Sequence, residues 1–260
     1  MRAVEHWEAE AERWAAWART PGHDAYWYYR DEFFALVPPP GRATLEVGYG
    51  EGRVARDLAA RGHRVVGVDI TRALARLASE AGGGPTYLLA DASALPFQAA
   101  TFDLVVAYNS LMDVDDMPAV VGEISRVLVP GGRLCACITH PLADAGRFAT
   151  RDPESPFVIE TSYLAHRPYE GTFERDGLRM TFKGWCYPLS AYSRALEASG
   201  FLVEALREPE PSSAAPARMD RYRRITNFLM LRAVKAASPA RPRRPAKARA
   251  ARAPRSRRTG

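Results

Sequence analysis

The sequence predicts an α/β protein: a three-layer sandwich built on a mostly parallel sheet, with a helical N-terminal block and a hairpin inserted late in the chain. Three observations carry this. Thr44 to Thr71, TLEVGYGEGRVARDLAARGHRVVGVDIT, reads as strand, glycine turn, helix and strand. Short apolar runs then alternate with helix-length amphipathic segments, as parallel strands joined by crossover helices require. The third observation is the pair Asp176-Gly177 between two strand-like runs, a strong hairpin signal.

In chain order, residues 3–18 read as an amphipathic helix carrying Trp7, Trp14 and Trp17. Gly22 ends it, and a second helix with Tyr26, Trp27, Tyr28 and Tyr29 runs to the prolines at 38–40. Leu45 and Val47 suit a buried strand. Gly48, Gly50 and Gly52 let backbone lie against a ligand, and the helix from about Glu51 to Arg61 opens with free N–H groups. Gly62 is a C-terminal stop. Residues 64–68 form the second strand and 71–81 the next helix, with Thr71 as the expected N-cap. Strands follow at 87–90 and 102–108, a helix at 115–129, a Pro130-Gly131-Gly132 turn, and a strand at 133–139. Within the insertion 142–189 a strand is expected at 157–164, and the hairpin at 171–175 and 178–187. A helix over 188–199 is stopped by Gly200. The last strands are expected at 201–207 and 225–234, separated by a Pro/Ser/Ala loop.

The chemistry of the glycine turn narrows its ligand. From Gly52 to Asp69 is 17 residues, close to the spacing at which an acid at the end of a second strand meets a ribose. The dinucleotide pattern G-x-G-x-x-G, however, needs glycine at 53, where this chain has Arg53. Glu46, two residues before Gly48, would repel a pyrophosphate and suits a cation. Glu46 with Asp69 therefore favours a positively charged nucleoside over NAD.

On these residues the chain resembles the class I S-adenosylmethionine-dependent methyltransferases. The resemblance rests on EVGYGEG at 46–52, VVGVDI at 65–70, ADA at 90–92, LPF at 95–97, FDLVVAYNSL at 102–111 and VLVPGGRL at 127–134. It is dense from Arg42 to Thr139 and extends, by element order, to Lys235. It implies a Rossmann-like seven-stranded sheet with the last strand antiparallel, a helical lid at 1–40 and a methyltransferase domain at 41–235 with a cap at 142–189. It also implies S-adenosylmethionine as cofactor, near Tyr29 (or its neighbour Tyr28), Glu46, Gly48, Tyr49, Gly50, Gly52, Asp69, Ile70, Asp91, Ala92 and Asn109. Tyr49 departs from the small residue of many relatives, so its ring either crowds the turn or covers the methionine end of the cofactor. Met112-Asp113 replaces a Glu-His pair common in relatives, so no role of that histidine carries over.

An oxygen or nitrogen acceptor must lose a proton, which invites a general base. His140, at the end of the fifth strand, is the first candidate, for catalysis or substrate contact. Ser110, Tyr163, His166 and Tyr187 are further candidates for the substrate side. The function expected is methyl transfer to a small organic molecule. The alternatives are RNA or protein methylation aided by the basic tail, a non-catalytic binding protein on the same fold, and an NAD oxidoreductase. Asp113, Asp115 and Asp116 read as the acidic start of a helix rather than a metal site.

Composition sets the remaining bounds. The chain has 260 residues, 47% of them hydrophobic, enough for one sizeable core. The net charge of +6 includes nine Lys or Arg and no acid within residues 236–260, which leaves the body at −3. That Pro/Ala/Arg tail cannot bury enough apolar surface to fold, and it offers at most weak contact with nucleic acid. The acidic start does not read as a signal peptide, and no apolar run has membrane-spanning length, so a cytoplasmic location without membrane partners is expected. Cys135, Cys137 and Cys186 are expected as core thiols.

Overall fold

The computed structural model describes residues 3–237, so the tail at 236–260 lies outside the described residues except for its first two. Helices α1 (Ala3–Arg19) and α2 (Tyr26–Leu36) precede β1 (Thr44–Val47), α3 (Arg53–Ala60), β2 (Val65–Asp69), α4 (Arg72–Ala81), β3 (Thr86–Leu89) and β4 (Phe102–Tyr108). Then come α5 (Met117–Val127), β5 (Leu128–Thr139), β6 (Gly146–Phe148), β7 (Phe157–Ile159), β8 (Arg167–Arg175) and β9 (Leu178–Cys186). The chain finishes with α6 (Leu189–Ala198), β10 (Phe201–Arg207) and β11 (Phe228–Lys235).

Seven strands form one sheet in the order β10-β11-β5-β4-β1-β2-β3, with β11 antiparallel to both neighbours. The alternation of side chains along each strand builds two cores. Leu104, Val106, Cys135, Cys137 and Met230 face α2 and α3, where they meet Phe33 and Leu58. Val105, Ala107, Leu134, Ile138 and Leu229 face α5 and α6, where they meet Ile124 and Leu196. Helices thus cover both faces, and the ends of β1, β2, β4 and β5 are left as the open ligand edge. The three cysteines are free and buried.

Several elements differ from the sequence expectation. The Pro130-Gly131-Gly132 turn does not precede β5 but is looped out within it, where the register against β4 jumps between Phe102–Leu128 and Leu104–Arg133. The strand expected at 157–164 stops at Ile159, because its partner β6 is only three residues long. Thr71 occupies the N-cap position of α4 without capping through its hydroxyl. Glu8 of α1 does that work, accepting from Arg72 N at 2.6 Å and Ala73 N at 3.1 Å. Sequence neighbours carry no signal for a cap supplied from a separate helix.

The hairpin of β8 and β9 turns on Asp176-Gly177, both at positive φ (49° and 76°), as its turn type requires. Helix α1 bridges this hairpin to α4. Trp14 and Trp17 pack edge-on against Phe182 at 5.9 and 6.2 Å. His6 Nε2 lies 3.0 Å from Thr181 O, and Arg19 donates to Leu77 O at 2.8 Å. Lid and hairpin together roof the ligand edge.

Candidate functional site

Beneath that roof lies a cavity of about 560 Å³. Its floor is the glycine turn. Gly48 and Gly50 have φ of 73° and 59°, and a Cβ at Gly48 would stand 2.5 Å from Ser110 Cβ. Gly48→Ala therefore combines backbone strain with a clash, and a stability loss of about 1–3 kcal/mol is expected, read from the urea midpoint. Gly52, also at positive φ, starts α3 against Tyr87 and does not line the cavity.

Two carboxylates shape this end. Asp69 Oδ2 accepts from Gly50 N and Oδ1 from Thr71 N, both at 2.9 Å, so the acid at the end of β2 pins the turn beside it. Burial raises its pKa even against those hydrogen bonds. Glu46 is 1% exposed, and its Oε2 has no hydrogen-bond partner. Burial, then the charges of Asp69 and Glu51, push its carboxyl well above the usual range. A cation brought beside Glu46 would relieve both deficits.

Asn109 sits at the end of β4 with φ of 50°, a left-handed conformation that asparagine tolerates better than most residues. Its Oδ1 is buried and unpartnered. Ile70, Asp91 and Ala92 line the rim beyond β2 and β3, with Asp91 Oδ1 holding Ser93 N and Oγ at 2.8 Å. Ile70 is exposed and offers an apolar face. The arrangement suits a ligand with hydroxyls at Asp69, a flat ring near Ile70 and a positive charge near Glu46.

Tyr49 lines the cavity but does not crowd it. Its ring lies over Gly67 of β2, where a Cβ would stand 2.7 Å from Tyr49 Cδ1, and its centroid is 4.8 Å from that of Tyr87. A glycine on the neighbouring strand makes room for the bulky residue in the turn. Replacing Gly67 with alanine is expected to lower the thermal midpoint by displacing this ring.

The structure separates other sequence candidates from the cavity. Tyr29 is fully buried against Phe228, ring centroids 5.1 Å apart, and lies outside the lining; Tyr26 and Tyr28 of the same helix line it. His140 also lies outside. Its Nδ1 accepts from Leu142 N at 3.1 Å, which leaves Nε2–H to donate to Glu208 at 2.8 Å. Both nitrogens are occupied, one within the turn around Pro141 and the other by Glu208 just after β10. His166 stacks on Tyr187 at 4.4 Å, and Tyr163 OH accepts from Leu189 N at 3.4 Å, on the outer side of the hairpin's base. Ser110 lines the cavity with its proton committed to Val47 O at 2.7 Å.

In their place the structure brings forward Asp113 and Asp144. Both line the cavity beyond Asn109, at the ends of β4 and β5. Burial, then Asp69 and Asp144, push Asp113 well above the carboxylate range. Burial lifts Asp144 to about 6, against the hydroxyl of Thr139, which donates to Oδ2 at 3.1 Å. Two buried acids within electrostatic range of each other, both with raised proton affinity, are equipment for acid–base chemistry. Asp113 reads from sequence as part of an acidic helix start, but only Asp116 caps α5, accepting from Ala119 N at 3.0 Å. Asp144 follows a predicted ligand-edge strand by five residues, a position that could have drawn notice. No cluster of three metal-ligating side chains occurs among the described residues, and no helix there is long and apolar enough to cross a membrane.

Comparison with known proteins agrees with this geometry. A family model described as a methyltransferase domain matches residues 45–136. A demethylmenaquinone methyltransferase from Tropheryma whipplei is 32% identical over 200 residues, covering 72% of this chain and 83% of the relative. A nocamycin O-methyltransferase from Saccharothrix syringae is 40% identical over 105 residues, covering 37% of this chain and 38% of that one. The chain spans about half the length of most curated relatives it matches. Among solved structures, an S-adenosylmethionine-dependent methyltransferase from Mesorhizobium loti superposes with a TM-score of 0.66 at 25% identity, covering 81% of this chain and 98% of that one.

Proposed function

We propose, because this chain belongs to the class I S-adenosylmethionine-dependent methyltransferases, that it transfers the cofactor's methyl group to a small organic acceptor at oxygen or nitrogen. The observation that carries the reading is one cavity lined both by Glu46, with its unpartnered oxygen, and by Asp113 and Asp144. The residues fit the cofactor. Gly48 and Gly50 give it room, Asp69 and Asp91 face its hydroxyls and ring, and Glu46 answers its positive charge. When bound, the cofactor supplies a methyl group on a sulfonium that is already a good leaving group.

What the chain contributes is alignment and proton management. Trp14 of α1 and Phe182 of β9 line the cavity and pack edge-on against each other. Holding a nucleophile in line within such a cavity can lower a barrier by roughly 7–11 kcal/mol. Asp144 is placed to take a proton from a hydroxyl or amine, with Asp113 in the same cavity wall and within electrostatic range of it. The relatives named for a menaquinone precursor and for nocamycin support a small-molecule acceptor.

Calorimetry with S-adenosylhomocysteine tests the reading. Wild-type protein binds it. Asp69→Ala weakens binding by about tenfold or more, the usual worth of a hydrogen bond to a charged group. His140→Ala leaves it unchanged. No binding to the wild type would sink the proposal.

A further inference from the structure

Three arginines on the cavity wall lack a carboxylate partner among the described residues. Arg175 ends β8, and Arg218 and Arg221 lie in the 3-10 turn Ala217–Arg223, whose period of three places them on one side. Of the acids nearby, Asp24 and Asp176 act on Arg175 through space, but none forms a direct ion pair with the three arginines. Asp24 pairs with Arg53 at 2.7 Å, Asp176 lies 3.6 Å from His23, and Asp220 and Glu210 each lie 3.5 Å from Arg223.

The three guanidinium groups are held by rings and carbonyls instead. Arg175 lies over Trp17 at 5.6 Å and donates to His23 O. Arg218 lies over Tyr28 at 5.8 Å and donates to Gly22 O at 3.2 Å. Arg221 lies over Tyr222 at 5.0 Å and Phe148 at 5.8 Å, and its buried Nε has no acceptor. Burial and then the charge of Arg218 make Arg175 easier to deprotonate, and Asp176 and Asp24 offset this only in part. Planar forks in this state are built to take a carboxylate or a phosphate.

The remainder of the wall joins these arginines to the acids. Tyr169 lies within electrostatic range of Asp144, Asp113 and Tyr222, and Tyr222 carries Arg221 on its face. Rings therefore line the path from the acid end to the arginine end.

We propose that the acceptor is itself an anion: an aromatic or apolar molecule whose carboxylate or phosphate ester is held by Arg218 and Arg221 with Arg175, while its nucleophile faces Asp144. The inference rests on the methyltransferase reading and adds the acceptor's charge to it. The cofactor carries a carboxylate of its own, so the experiment must separate the two sources.

The test uses the full chain loaded with S-adenosylhomocysteine. A panel of aromatic carboxylates and aryl phosphates, each paired with its neutral ester or alcohol, is titrated by ligand-observed NMR. Charged members bind and their neutral partners do not. The double variant Arg218→Gln/Arg221→Gln weakens those binders by about tenfold or more while keeping the wild-type affinity for S-adenosylhomocysteine. Single Arg175→Gln, read in the same way, serves if the double variant does not fold. Equal binding of neutral partners, or no binding by any anion, overturns the inference. So does a parallel loss of S-adenosylhomocysteine, which would assign the arginines to the cofactor's carboxylate. Failure of the wild type to bind S-adenosylhomocysteine at all would instead remove the methyltransferase reading.

Discussion

Asp144→Asn is expected to lower kcat by about 10²–10⁴-fold, the range for loss of a positioned general base, while S-adenosylhomocysteine binds as before. The expectation follows from place and charge. Asp144 lines the cavity just after β5, with Oδ2 fixed by Thr139. Burial lifts it to about 6. A base works only when deprotonated, so the wild-type rate should climb as pH rises through about 6 and level above it. In the asparagine variant that limb disappears. The sign for stability is opposite. Because the folded state holds this proton more tightly than an unfolded aspartate, which titrates at 3.8, its contribution is full below that value and is lost as pH rises through about 6. The variant is therefore expected to be no less stable than wild type at neutral pH. A rate profile without a limb near 6, or a variant of unchanged kcat, would remove Asp144 as the base.

The contrast with His140 shows where the sequence stops informing. Both residues follow β5, and the strand's end is legible from its apolar run and from Pro141. What decides between them comes from distant chain. Glu208 takes one histidine nitrogen, Leu142 N–H takes the other, and Asp144 is turned inward beneath a hairpin whose strands begin at Arg167. The glycine turn is different. Gly48 and Gly50 act through their backbone, and Glu46 and Asp69 through carboxylates, all within one strand-turn-helix-strand unit, so local spacing suffices to place them. Tyr49 stands between the two cases: the residue is plain in the sequence, but its accommodation depends on Gly67 of the adjacent strand. The arginines at 175, 218 and 221 were out of reach, because only folding brings β8 beside the 3-10 turn.

Replacing Glu51 with alanine is expected to cost about 3 kcal/mol, near the lower end for breaking a buried ion pair by removing one partner. Glu51 sits inside the glycine turn, yet its 1%-exposed side chain points away from the ligand role its neighbours suggest. It accepts Arg19 Nε at 2.8 Å and both of its oxygens accept Arg56 Nη2, at 2.9 and 2.8 Å. Arg19 closes α1 and Arg56 belongs to α3, so one carboxylate ties the lid to the floor of the cavity. Without it, Arg56 keeps the Glu51 carbonyl and Tyr87, and Arg19 keeps Leu77 O. Arg19 is 40% exposed, so water screens its share of the loss and places the figure at the low end. Urea unfolding reads the cost, and limited proteolysis reads the lid. Cleavage within α1 should accelerate in Glu51→Ala by more than the change in global stability explains. A double-mutant cycle with Arg19→Ala then measures the coupling between lid and floor directly. If the two losses simply add, the carboxylate serves only to stiffen the turn, and α1 is held by its other contacts: Glu8 on the start of α4, His6 at Thr181 O, Arg53 on Ala18 O, and Trp14 and Trp17 on Phe182.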